Sequence, residues 1–394
     1  MKKHVCILSF SPIYRDARVL RQIEYLSPVY QITVVGEGQP HPDYPQVNWI
    51  TVEKPPAGLV ERASTALSLV LGKLLPFAYD WWYFTRPLHR RMLHHALESR
   101  ADVYHSNDWD TLPIAVAAAR KRGAKVVVDL HEYAPLEFEE EPQWMRFKSP
   151  LIRWMLSRYT RQAAAAITVC EPIRRRYREE FGFDSTVILN APKYVELPVH
   201  PVNSERIEVV HHGGAQRSRG LEKMIEAIGL AETRFHFHLI LVGEDSHYVE
   251  ELKLLAERVA PERVSFHDPV KPSEIVKRLS EYDIGFYSLS PTSYNNAVAM
   301  PNKLFDFINA RLAVVIGPSP AMAELTEQYG FGCVSPTFSA KDLAETLNKL
   351  TPESILSMKQ AASAAAKQLN ADVEMAKVVE MYRGLFDSHD EAAQ

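Results

Sequence analysis

Two segments in the second half of the chain carry residue types and spacings suited to an anionic ligand. The first is His211-His212-Gly213-Gly214-Ala215-Gln216-Arg217-Ser218-Arg219-Gly220-Leu221. A strand pattern ends there, glycines permit a tight turn, and a helix pattern follows. Its free N–H groups and about half a positive charge would suit a phosphate. Arg219 adds a full positive charge at the same place. An ordinary strand-to-helix turn with a surface arginine is the competing reading. The second segment runs from Asn296 to Phe307 through Met300-Pro301-Asn302-Lys303-Leu304-Phe305-Asp306. Pro301 suits a first helical turn, where its missing N–H would be unpaired anyway. Asn302 and Lys303 then lie at the positive end of a helix, with Leu304, Phe305 and Ile308 toward a sheet. Asp306, three residues beyond Lys303, can accept both hydroxyls of a ribose. A surface ion pair between Lys303 and Asp306 is the simpler alternative.

Such segments need a scaffold, and the chain shows one. Strand patterns at Val5–Phe10, Gln31–Val35, Asp102–His105, Lys125–Asp129, Ala165–Val169 and Thr186–Leu189 alternate with helices. Asp16 can cap a helix whose Val19, Leu20, Ile23 and Leu26 share a face. Asn190–Ser204 carries Pro192, Pro198 and Pro201 with little periodicity and reads as a linker. Strand patterns resume at Ile207–Val210, His238–Val242, Val264–His267, Ile284–Tyr287 and Ala313–Ile316, and a last helix spans about Asp372–Phe386. Alternation of this kind predicts parallel sheets covered on both faces, with ligands at the strand C-terminal ends. Two such units joined by a linker are expected to enclose a cleft.

The 394 residues are 46% hydrophobic and 24% charged, which excludes a disordered, collagen-like or coiled-coil chain. The net charge of −4 is too balanced for a nucleic-acid coat. Residues 1–200 hold 26 basic and 22 acidic side chains, the remainder 19 and 27, so two units with different partners are expected. Cys6, Cys170 and Cys333 give neither a disulfide framework nor a metal spacing, which fits a reducing compartment. The apolar run Val5–Leu8 is too short for an export signal. A dinucleotide GxGxxG after the first strand, a P-loop and a GxSxG are all missing. His89, His94 and His95 read as part of an amphipathic helix rather than as metal ligands. The run Arg174-Arg175-Arg176 with Arg178 reads as a solvated helix face.

Taken in order, these motifs resemble the retaining glycosyltransferases of family 4, with the GT-B fold and the group 1 donor domain. The first half agrees through Arg15-Asp16-Ala17-Arg18-Val19, His105-Ser106-Asn107-Asp108-Trp109-Asp110, Asp129-Leu130-His131-Glu132-Tyr133 and Ile188-Leu189-Asn190-Ala191-Pro192. The resemblance implies an α/β protein of two Rossmann-like domains facing a central cleft. Residues 1–190 would bind the acceptor, 191–205 link, and 206–371 bind a nucleotide-diphosphate sugar. The helix near 372–386 would pack back onto the first domain. Carried over by position, diphosphate contacts fall on Gly214, Arg219 and Lys303 and the ribose carboxylate on Asp306, with Gly213 and Asn302 also in the donor site. The nucleobase falls near Asp268–Val270, with Val270 in the donor site. His131 matches a catalytic histidine, and Asp16 and Arg18 would line the acceptor side. No cofactor and no metal are implied.

Three departures from that pattern stand out. A glutamate common in the family is replaced by Val298, the usual glycine pair after the first strand by Ser11-Pro12-Ile13-Tyr14, and a glycine after the ribose helix by Arg311. Alternatives of the same fold are a catalytically silent nucleotide-sugar-binding scaffold and a sugar-nucleotide epimerase. Ser64–Tyr79 is nearly all apolar, and Trp81-Trp82-Tyr83-Phe84 with Arg86, Arg90 and Arg91 follow. A buried helix is one reading. The other is an interfacial segment on an anionic membrane surface at the cytoplasmic face, serving a glycan or lipid-linked acceptor in envelope or exopolysaccharide synthesis.

Overall fold

The computed structural model describes residues 2–14, 16–53, 58–243 and 246–390. Arg15 of the first-loop motif lies outside the described residues. The chain divides into two compact units. Unit 1 comprises residues 1–188 with Ser293–Asn295 and Met375–Gln394, and unit 2 comprises Leu189–Thr292 and Asn296–Glu374.

Unit 1 holds seven strands: β1 His4–Pro12, β2 Gln31–Glu37, β3 Asn48–Thr51, β4 Val103–Asn107, β5 Lys125–Leu130, β6 Ala165–Thr168 and β7 Thr186–Val187. Their order is β3-β2-β1-β4-β5-β6-β7, and every neighbouring pair is parallel. Strand β3 has only four residues, none of them fully buried, and so shows little apolar alternation in sequence. The order reverses between β1 and β4, and the C-terminal ends of strands at such a point form the usual ligand crevice. One face of the sheet buries Val5, Ile7, Val34, Val103 and Val127 against Met375, Val378 and Tyr382 of the helix Ala371–Asp390.

Unit 2 holds six strands: β8 Ile207–Gly214, β9 Phe235–Val242, β10 Val264–His267, β11 Ile284–Tyr287, β12 Ala313–Ile316 and β13 Gly332–Val334. Their order, β10-β9-β8-β11-β12-β13, reverses between β8 and β11. All pairs are again parallel. Strand periodicity is visible in the core: Val209, Phe286 and Val315 enter one apolar cluster, while their neighbours Val210, Tyr287 and Val314 enter the other. Both faces are thus covered, as parallel sheets require.

Arg311 sits at φ 65° in the left-handed region and is almost fully buried. Its guanidinium donates to the carbonyl of Asn309 at 2.5 Å and to that of Val195 at 2.7 Å, and lies over the Tyr194 ring. The arginine that replaces the expected glycine therefore offsets its backbone strain with buried hydrogen bonds.

Arg311→Ala keeps the strained backbone and orphans two carbonyls, so it should destabilise by about 3 kcal/mol. Arg311→Gly should lose about 1 kcal/mol less. Urea denaturation of the two variants checks that order, and equal losses would refute the strain argument.

Candidate active site

In unit 2 a pocket of 440 Å³ opens where β8 ends and the helix Asn302–Asn309 begins. It gathers Gly213, Gly214, Arg219, Val270, Asn302, Lys303 and Asp306, all seven of the residues carried over to the donor site. The starting points differ slightly from expectation. Pro301 is extended, at φ −72° and ψ 148°, and caps the helix from outside, so Asn302 is the first helical residue. Arg219 belongs to the 3₁₀ turn Arg217–Arg219, ahead of the helix Leu221–Leu230, and not to the helix itself.

Lys303 dominates the electrostatics. Its side chain is only 5% exposed, and its Nζ is buried with no hydrogen-bond partner. The Nζ lies 4.7 Å from the centroid of the Tyr287 ring. Gly213, at φ 123°, has a backbone conformation that favours glycine, and it passes so close that a Cβ there would come within 2.9 Å of that Nζ and push it aside. Burial, with the Arg219 charge adding to it and Asp306 opposing, lowers the Lys303 pKa to about 7. Asp306 is also buried, and its Oδ2 lies 3.3 Å from His212 Nε2. The opposite wall is apolar, formed by Ile240, Val242, Val270, Pro272 and Ile275. Asn190 donates its side-chain amide to Asn302 Oδ1, tying the start of the helix to the linker. The pocket thus joins a cation-rich floor to a carboxylate and an apolar slot, the features a nucleoside diphosphate would need.

In unit 1, His131 follows β5 and is partly buried. Its Nδ1 lies 3.3 Å from Asp108 Oδ2 and its Nε2 3.8 Å from Asp129 Oδ1. Burial works against the charged form, but Asp108 and Asp129 outweigh it and raise the pKa. Asp129 is itself clamped by Arg18, whose Nε and a terminal nitrogen each donate to it at 2.7 Å. Against the burial that would raise it, Arg18 and His131 hold the Asp129 carboxyl far below the usual carboxylate range. Asp16 caps the helix Ala17–Leu26, accepting from the backbone N–H groups of Arg18 and Val19 and from Ser11 Oγ. Asp16 and Arg18, expected on the acceptor side, therefore both have internal partners: one holds a helix start, the other neutralises a buried carboxylate.

Two sequence families match in tandem. The Glycosyl transferase 4-like domain covers residues 24–192, and Glycosyl transferases group 1 covers residues 206–352. The chain belongs to the group 1 glycosyltransferases. No curated protein matches it. HepE of Anabaena, solved with UDP-glucose, superposes with a TM-score of 0.70 at 16% identity over 97% of this chain and 99% of its own. Sucrose-phosphate synthase of Thermosynechococcus elongatus gives 0.71 at 14% identity over 98% and 100%. An α,α-trehalose-phosphate synthase of Burkholderia xenovorans, solved with glucose-6-phosphate, gives 0.61 at 12% over 97% and 99%. These likenesses establish the GT-B fold.

Several residues of this glycosyltransferase carried no signal in sequence. His212 was visible only as part of a turn, and the apolar wall only as strand and loop residues. Glu137, at the same sheet edge as His131, is raised to about 7 by burial and then by Glu132 and Asp108. Among the described residues no group of three or more His, Cys, Asp or Glu side chains could hold a metal. His89 is buried and bonds the Tyr83 carbonyl at 3.0 Å, while His94 and His95 pair with Glu98. Arg174 pairs with Asp184 and Glu171.

Because the folded-state pKa of Lys303 lies below its unfolded value, the unfolded chain binds more protons between about pH 7 and 10.4, and stability rises with pH across that window. Lys303→Met should therefore melt no lower than wild type at pH 7, yet bind UDP roughly 1.5–3 kcal/mol more weakly. Arg219→Ala should weaken UDP similarly without stabilising the free protein. Thermal melting with and without UDP checks both, and undiminished UDP stabilisation in either variant would misplace the diphosphate.

Proposed function

We propose that this glycosyltransferase moves a hexosyl group from a nucleoside diphosphate sugar to a glycan or lipid-linked acceptor, with retention of anomeric configuration. The observation that carries the donor assignment is the unpartnered, buried Lys303 ammonium beside Arg219, Asp306 and an apolar slot in one pocket. Lys303, Arg219 and the backbone at Gly213 and Gly214 would take the diphosphate, Asp306 the ribose hydroxyls, and Val270 with its apolar neighbours the base. HepE, of the same fold, was solved with UDP and UDP-glucose, which makes UDP-glucose the first donor to test.

In the transfer, the bond from the sugar C1 to the diphosphate oxygen breaks. A bond from C1 to the acceptor oxygen forms on the same face, and the acceptor proton passes to the departing diphosphate. Lys303 and Arg219 would stabilise the charge developing there, work that a metal does in other sites, so no metal is proposed. His131, held toward its charged form by Asp108 and Asp129, is the proposed group serving the transferred sugar. Unit 1 would take the acceptor. Val298, which offers no carboxylate, favours the silent-scaffold reading. That protein would bind UDP-glucose without ever releasing UDP, whereas an epimerase would interconvert donors without an acceptor.

Features of unit 1 support a peripheral membrane attachment. No helix among the described residues is long and apolar enough to cross a membrane. The apolar stretch splits between two fates: Leu69, Tyr79, Trp82 and Tyr83 are buried, while Leu74 is 80%, Phe77 64% and Trp81 59% exposed. Arg90 and Arg91 are exposed nearby in sequence. Exposed aromatic and aliphatic side chains with basic neighbours suit the headgroup region of an anionic leaflet, at about 1 kcal/mol per basic residue. This supports a peripheral enzyme at the cytoplasmic face acting in envelope or exopolysaccharide synthesis.

Asp306→Asn should weaken UDP severalfold more than 2′,3′-dideoxy-UDP, since only ribose hydroxyls meet the carboxylate, and equal losses would make Asp306 structural. Wild-type protein should turn over UDP-glucose in EDTA and give an α-linked product by NMR. A β-linked product would exclude retention. Sedimentation with anionic vesicles should be salt-sensitive and should fall in the Arg90→Glu/Arg91→Glu double variant. Absence of binding at low salt would leave a water-soluble acceptor.

A further inference from the structure

Unit 1 carries a second groove that the transfer chemistry does not use. It runs between the helix Leu59–Leu71 and the π-helical turn Trp144–Lys148, and encloses 340 Å³. Its walls are Ala66, Leu69, Val70, Trp144 and Phe147, with Lys148 alongside.

The wall chemistry restricts the occupant. The helix and the π-helical turn spend their backbone groups internally, so an extended peptide would find few partners for its own amides. Glu141 and Gln143, both exposed, also line it. Lys148 Nζ lies 5.2 Å from the Trp82 ring centroid, and Lys73 Nζ lies 4.8 Å from that of Phe147. Neither lysine has a carboxylate partner among the described residues. Burial, then the nearby Arg86 charge, lowers the Lys148 pKa, a cost that an anionic group would relieve. Val70 itself is half exposed, and Leu67 and Leu71 on the same helix are exposed too. An apolar slot, an apolar approach, the partly buried Lys148 ammonium and the exposed Lys73 ammonium, neither paired with a carboxylate among the described residues, together fit an amphiphile with a phosphate head.

We propose that this groove binds the hydrocarbon chain of the lipid-phosphate acceptor, with Lys148 and Lys73 meeting the phosphate. The proposal rests on the reading that the acceptor is lipid-linked, and it assigns the place where the acceptor's anchor is held.

The probe is dodecyl phosphate below its micellar concentration, titrated into the full chain by calorimetry, with inorganic phosphate and dodecyl maltoside as controls. One dodecyl phosphate should bind per chain. Inorganic phosphate should give no saturable heat, and dodecyl maltoside should bind at least tenfold more weakly. Ala66→Trp, which places a large side chain in the slot from an exposed position, should weaken dodecyl phosphate at least tenfold, and Lys148→Ala severalfold. Both variants should keep the wild-type UDP affinity, far-UV circular dichroism and melting temperature, which together show that both units stay folded. No saturable binding, equal binding of the maltoside, or undiminished binding in Ala66→Trp would overturn the proposal. Vesicle sedimentation separates it from membrane attachment. Ala66→Trp should still sediment with anionic vesicles, and loss of vesicles and probe together would reduce the groove to part of the membrane surface. Wild-type protein that binds the probe but no vesicles would contradict membrane attachment alone.

Discussion

An ammonium group buried without a hydrogen-bond partner is costly, and the donor pocket is organised around one. Lys303 is held there because the helix that carries it is anchored by its own apolar face: Leu304, Phe305, Phe307 and Ile308 are fully buried. Its Nζ has nowhere to go but the floor of the pocket, where Gly213 gives way and the Tyr287 ring lies beneath it. Stability is spent on a charge that only an anion can satisfy. That is how binding sites often differ from the rest of a fold: a local rule is broken and compensated elsewhere.

The first unit uses the opposite arrangement. The buried carboxylate of Asp129 is matched. Arg18 forks onto Asp129, Gln22 donates to both Asp129 and Asn107, and His105 contacts the Tyr382 hydroxyl at 2.7 Å. These hydrogen bonds hold the strand ends from which His131 projects. Removing Arg18 would leave the buried Asp129 carboxylate without its guanidinium partner, a loss of about 3–5 kcal/mol in comparable pairs. The geometry of His131 therefore depends on residues around Asp129, and the two side chains expected at the acceptor, Asp16 and Arg18, both have partners within the unit.

Much of this was legible in sequence because parallel sheets write themselves as short apolar runs. The strands Val264–His267, Ile284–Tyr287 and Ala313–Ile316 appear with the boundaries their periodicity predicts. The seven donor residues converge because they lie at strand ends, in the loops that follow them or in the first turns of helices, positions that a doubly wound sheet brings to one edge. What remained hidden depends on partners distant in the chain. Arg18 and Asp129 are separated by 111 residues, and nothing local pairs them. The same holds for His212 beside Asp306, and for Arg311, whose left-handed backbone is made tolerable by the carbonyl of Val195. Strands β3 and β13 escaped because four and three partly exposed residues carry no alternation.

The central claim is that Lys303 is poised to be protonated and paired by a diphosphate. Calorimetry of UDP binding at pH 8 in buffers of different ionisation enthalpy counts the protons taken up. With a free-state pKa of about 7, close to one proton should be taken up per UDP by the wild type, and almost none by Lys303→Met. Binding without proton uptake, or equal uptake in the two proteins, would contradict the account.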